Sequence, residues 1–161
     1  MNTFILDKEF GKKYEEHFAK MFNLKLNNLN KDDDGIDIYG AMNNDELDIY
    51  TDNIYIDVKA YRKPIYVKSF KGVYIETRSG KCRNLGWYYK DNNTTHYLFV
   101  IDCENDRVEY KTAYLISKEN LYNACDEADD NNDLIEKSIS TSEGFILPYK
   151  YLEKYGVEIG G

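Results

Sequence analysis

The stretch NIYIDVKAY, Asn53 to Tyr61, sets an aspartate and a lysine two residues apart inside an apolar run. Successive side chains of a β-strand point to opposite faces, so Ile54, Ile56, Val58 and Ala60 form one apolar face while Tyr55, Asp57 and Lys59 share the other. Two opposite charges then look into one place. In isolation such a pair is ordinary on the solvated face of an antiparallel edge strand. Its neighbours in the chain decide whether it is more than that.

Working outward, DKEFGKKYEEHFAKMFNLK places Phe10, Tyr14, Phe18, Met21 and Phe22 at helical spacing, with Asp7 as the expected N-cap. The turn-rich NNLNKDDDG follows, and then three short strand candidates, IDIYG, ELDIYT and IYIDVKA, for which a meander is the simplest arrangement. GVYIETRS and THYLFVID read as further strands, the second so continuously apolar that a central position is expected, and VEYKTAYLI supplies another. SKENLYNACDEA reads as a helix capped by Ser117, DEADDNND as a solvent loop and LPYKYLEKYG as a short C-terminal helix or turn. The predicted fold class is α/β (α+β), a mixed central sheet flanked by helices, with residues 1–161 forming one domain.

Composition limits the function classes. With 42% hydrophobic and 15% aromatic residues the chain is expected to fold around a core rather than remain disordered. The N-terminus lacks a basic segment followed by a long apolar one, and no window approaches a membrane span, so a cytoplasmic protein with no membrane partner is expected. Cys82, Cys103 and Cys125 are odd in number and widely spaced, which suits neither a disulfide framework nor a zinc site; reduced structural thiols are expected. The net charge of −8 conceals a strong asymmetry. Lys59 to Lys90 holds nine basic residues against the single acid Glu76, directly after a segment, Lys31 to Asp57, with nine acids and one base. A polarised site fits that pattern better than a uniformly acidic surface.

Two further acids join the pair. In DDDGIDIYG, Asp37 alternates with Ile36 and Ile38, so it stands on the polar face of its strand as Asp57 does on its own. On the first helix Glu15 follows Gly11 by four residues and precedes Phe18 and Phe22 on one stripe, whereas Glu16 falls on a polar face with Lys12 and Asn23. A carboxylate among phenylalanines is costly unless a cation or a hydrogen-bond donor meets it. Hard divalent cations take oxygen ligands, commonly one or two carboxylates completed by water and a substrate phosphate. Asp37 and Asp57 are the expected ligands, with Glu15 direct or through water, and Lys59 is expected beside the attacking water.

The ordered set of a helical Glu15, GID with Asp37, and DVK with Asp57 and Lys59 resembles the core of the PD-(D/E)xK nuclease superfamily. The downstream run YIETRSGKCRNLGWYYKDNNTTHYLFVID is similar to phage and bacterial members, in which a strand with a polar residue leads to Gly-Trp and then an apolar core strand. The likeness covers residues 8 to 102. It departs from the family name at the proline, which is absent before Asp37, and Asp48 in ELDIYT rivals Asp37 as the second acid. The resemblance implies a restriction-endonuclease-like fold and a magnesium-dependent DNA endonuclease of resolvase-like, repair or restriction type, with manganese able to substitute. It also implies phosphate contacts from Lys68, Lys71, Arg78, Lys81 and Arg83. Glu76 and Arg78, sharing a strand face with Tyr74, are expected to extend the site. Cutting two strands favours a two-fold homodimer. The rival expectation is a catalytically silent relative acting as an inhibitor or DNA mimic through the acidic run Asp126 to Asp133.

Overall fold

The computed structural model describes residues 3–27, 35–63, 72–80, 84–139 and 141–160, and the side chains of residues 9–27 in the first helix. The expected phosphate-binding Lys68, Lys71, Lys81 and Arg83, and also Cys82, lie outside these residues.

The described residues form two sheets and three helices, a mixed α/β architecture as the sequence predicts. The larger sheet holds β1 (Lys25–Leu26), β2 (Ile38–Asn44), β3 (Ile49–Arg62), β6 (His96–Cys103), β7 (Thr112–Ser117) and β10 (Val157–Gly160), in that order. Its pairings are antiparallel except β3 against β6, which is parallel. The smaller sheet, antiparallel throughout, has the order β5 (Asn84–Leu85), β4 (Gly72–Ser79), β9 (Ser142–Pro148), β8 (Ile135–Ile139).

Strand alternation explains how the layers close. Along β6, Leu98 and Val100 enter one core while Tyr97, Phe99 and Ile101 enter the other, and β7 divides Ala113 and Leu115 from Tyr114 and Ile116 in the same way. Both strands are therefore apolar on both faces, which is why THYLFVID reads as a continuous run. The helix α1 (Thr3–Phe22) covers the first face with Phe10, Tyr14, Phe18 and Phe22. On the second face lie α2 (Lys118–Asp130), α3 (Tyr149–Tyr155) and the smaller sheet, the last through Val73, Ile75 and Leu147. Cys103 and Cys125 are buried free thiols, one in each core.

A polar anchor fixes α1 over its face. The Tyr14 hydroxyl lies 2.8, 3.1 and 2.9 Å from the carbonyl oxygens of Glu104, Arg107 and Glu109 and can donate its proton to any of them. Burial first of all raises its pKa to about 12, so the hydroxyl stays a donor. The next residue of α1 is Glu15.

Several expectations are corrected. The first helix begins at Thr3, so Asp7 lies inside it instead of capping it, and Met21 is 46% exposed because it falls off the buried stripe. ELDIYT is not a separate strand: Asp45 to Asp48 form the turn of a β2–β3 hairpin, and Ile49 begins a single long strand that runs through Asp57. The acidic DEADDNND belongs to the end of α2 as far as Asp130, and β7 starts at Thr112, leaving Val108 outside it. Ser117 does cap α2, its hydroxyl accepting the Asn120 amide at 3.1 Å. No helix among the described residues is long and apolar enough to cross a membrane.

Candidate active site

The pair that opened the sequence does not lie on a solvated edge. β3 is paired on both sides, by β2 and by β6, and Asp57 is only 4% exposed. Its face carries Tyr97 and Phe99 of β6, register partners of Asp57 and Lys59. The Lys59 ammonium stands 3.1 Å from Asp57 Oδ2 and 4.8 Å from the centre of the Trp87 ring. Trp87 itself packs on Tyr97 and Phe99, so one side of the indole belongs to the core and another holds the lysine in direction.

The site arises where β2 leaves β3. Pairing runs down to Ile38 opposite Ile56; one residue earlier Asp37 still donates its amide to the Ile56 carbonyl at 2.9 Å. Beyond that point the edge of β3 has no backbone partner from β2. The Asp37 side chain takes the place of one, Oδ2 accepting the Val58 amide at 2.7 Å. The chain turns into this position through Gly35, whose φ of +65° is in the left-handed region that glycine adopts without strain. Asp37 is thus fixed by its own sheet edge beside Asp57.

Glu15 reaches the same notch from α1, half-buried where Glu16 is exposed, in keeping with the two helix faces read from the sequence. A cleft of about 390 Å³ is lined by Glu15, Asp37, Asp57 and Lys59, together with Glu76, Trp87, Lys90 and Asn92. The expected set therefore converges. The rival acid Asp48 does not: it is exposed in the hairpin turn with φ of 55°, and it is absent from the cleft lining.

Crowding of carboxylates has an electrostatic result. Burial above all, then the charges of Asp57 and Glu15, push the Asp37 pKa up from 3.8 to about 9, against the opposing pull of the Val58 amide. Near neutral pH Asp37 therefore keeps its proton, and a carboxyl hydrogen bond with Glu15 acts in the same direction.

Glu76 and Arg78 part company. The β4–β9 register slips between them, a bulge that turns the following side chains over. Glu76 lines the carboxylate cleft and accepts the Ser142 hydroxyl at 3.0 Å, while Arg78 is exposed and lines a separate cleft on the smaller sheet with Thr77, Leu85 and Tyr89. Arg78 is thus not beside the carboxylates, contrary to the strict alternation assumed from GVYIETRS. Trp87, Lys90 and Asn92 were not assigned to the site from sequence; each comes from the loop between β5 and β6, whose irregular backbone offers no periodicity to read.

The carboxylates of the cleft offer only oxygen donors, which suits a hard cation, and two aspartates are enough for magnesium when water and phosphate complete the shell. Among the described residues no group of three or more His, Cys, Asp or Glu side chains is placed to hold a metal ion. Comparisons of the chain with protein-family models, with curated proteins and with solved structures return no match.

Proposed function

We propose that this protein is a magnesium-dependent nuclease that hydrolyses phosphodiester bonds in DNA. The observation that carries the reading is the convergence of Asp37, Asp57 and Lys59, with Glu15 beside them, in one cleft where burial and then the neighbouring carboxylates raise the Asp37 pKa. The carboxylates of the cleft outnumber its ammonium groups, an excess of negative charge that a divalent cation would offset so that a phosphate could approach.

Asp37 and Asp57 would hold the cation, with Glu15 completing the shell directly or through water. Magnesium, or manganese in its place, would supply Lewis acidity there when bound. The protein's own part is positional. Asp57 and the Trp87 ring aim the Lys59 ammonium, which orients the attacking water and faces the charge that develops on the phosphate. Val58 holds Asp37 through its amide, so the second carboxylate needs no reorganisation beyond loss of its proton.

The reading is of an endonuclease acting on duplex or branched DNA within a bacterial or phage-infected cell, and cutting both strands would bring two copies together about a two-fold axis. The silent DNA-mimic alternative is weakened by the lysines of α3: Lys154 pairs with Glu127, and Lys150 pairs with Asp133 at 3.1 Å, so the acidic run is partly neutralised. The test is incubation of supercoiled and branched DNA with magnesium and the wild-type, Asp57→Ala and Lys59→Ala proteins. Cleavage by wild type alone is expected, each variant falling about a hundredfold or more. Cleavage by none, or equally by all three, would refute the proposal.

A further inference from the structure

One cleft residue has a polar group held by the protein and another turned toward the site. Asn92 Oδ1 accepts the Thr94 backbone amide at 3.1 Å and the Lys118 ammonium at 3.3 Å. Both partners can only donate, so the oxygen must face them and the NH2 group must face away. Lys118 also donates to the Lys90 carbonyl at 3.3 Å, clipping the loop that carries Trp87, Lys90 and Asn92 onto the start of α2.

The NH2 group ends beside Gly35. A methyl group built on Gly35 would lie 3.4 Å from Asp57 Oδ2 and 3.8 Å from Asn92 Nδ2, so the aspartate and the amide border one small space that glycine leaves open. Asn92 Nδ2 makes no hydrogen bond to a described residue. A neutral donor with two N–H groups, its direction fixed from behind, beside a carboxylate that would hold a cation, is suited to a ligand with several acceptor oxygens.

We infer that Asn92 is a substrate-positioning residue whose amide donates to a non-bridging oxygen of the DNA phosphate next to Asp57, and that Lys118 sets its orientation. The inference rests on the phosphodiesterase reading and adds a second protein group, besides Lys59, that contacts the phosphate. It also assigns Gly35 a second role, as the residue that leaves room for that oxygen.

Substituting Asn92→Asp separates this role from a structural one. The remaining carboxylate oxygen still accepts Thr94 and now pairs with Lys118, so the loop keeps its anchor, whereas the donors facing the cleft become a negative charge. Fluorescein-labelled single-stranded, duplex and branched DNA would be titrated with wild-type, Asn92→Asp and Asn92→Ala proteins in calcium, which holds the complex without requiring cleavage. Wild type is expected to bind best, Asn92→Ala about tenfold more weakly and Asn92→Asp more weakly still, while both variants keep a cooperative melt. Equal binding by all three overturns this inference alone. If wild type binds none of the DNAs, the nuclease reading falls and this inference with it.

Discussion

The protonated state of Asp37 makes a stability prediction that is independent of catalysis. Its pKa stands at about 9 in the folded, metal-free protein against 3.8 ordinarily. The folded state thus binds more protons than the unfolded one between those values, and the stabilisation present below the lower value is lost as pH rises through the higher one. The slope is up to about 1.4 kcal/mol per pH unit, so from about pH 6 to about pH 8 this one group removes on the order of 2–3 kcal/mol. For a chain of this size that corresponds to a fall in Tm of roughly 5–10 °C. Asp37→Asn abolishes the titration while an amide oxygen still accepts the Val58 N–H. The difference between the Tm–pH slopes of wild type and Asp37→Asn isolates the effect, since every other titrating group is common to both. Magnesium should raise the Tm of wild type, more so near pH 7 than near pH 5, where the proton it must displace is held harder, and should leave Asp37→Asn nearly unmoved. Calorimetric melts in chelator-treated buffers, with and without magnesium, measure all of this. Parallel slopes for the two proteins would show that the carboxylates are not crowded as described, and the argument for a cation would fail with them.

Two other substitutions probe the frame around the site. Asp48→Gly removes the rival acid and replaces a left-handed aspartate by the residue best suited to that backbone, so cleavage and the magnesium-induced rise in Tm should both be retained; loss of either would restore Asp48 as a ligand. Tyr14→Phe deletes the hydroxyl that ties α1 to the Glu104–Glu109 loop, leaving carbonyls to water, and should lower stability by about 1 kcal/mol in a denaturant titration while also weakening cleavage, because Glu15 is carried by the same helix.

Much of this site is legible in the chain because strand and helix periods act locally. Alternation alone puts Asp57 with Lys59, away from Ile56 and Val58, and helical spacing alone separates Glu15 from Glu16. What alternation cannot report is where it stops. The bulge between Glu76 and Arg78 breaks the period at a point of β4 with no glycine or proline to mark it, the glycine at the slip, Gly144, lying on the partner strand, and so Arg78 leaves the cleft. The same limit hid the β8–β9 hairpin, whose outer strand keeps Ile135 and Ile139 62% and 43% exposed and therefore lacks an apolar face pattern. Trp87 and Asn92 belong to a loop, where position depends on contacts distant in sequence such as that from Lys118.

The same geometry argues against a purely structural role for the Asp57–Lys59 pair. A buried ion pair gains little net stability over well-packed apolar residues of the same volume. Here the pair also sits beside Asp37, whose carboxyl must give up ionisation to be accommodated, and beside Glu15. A core under selection for stability alone would have replaced one member of this group, since each added carboxylate raises the cost of the others. The sheet instead opens at this point: β2 leaves β3, Gly35 keeps the entrance clear, and Asn92 is clipped with its donors facing in. Conflict between local stability and arrangement, concentrated in one cleft, is what a site evolved to receive a cation and an anion together would show.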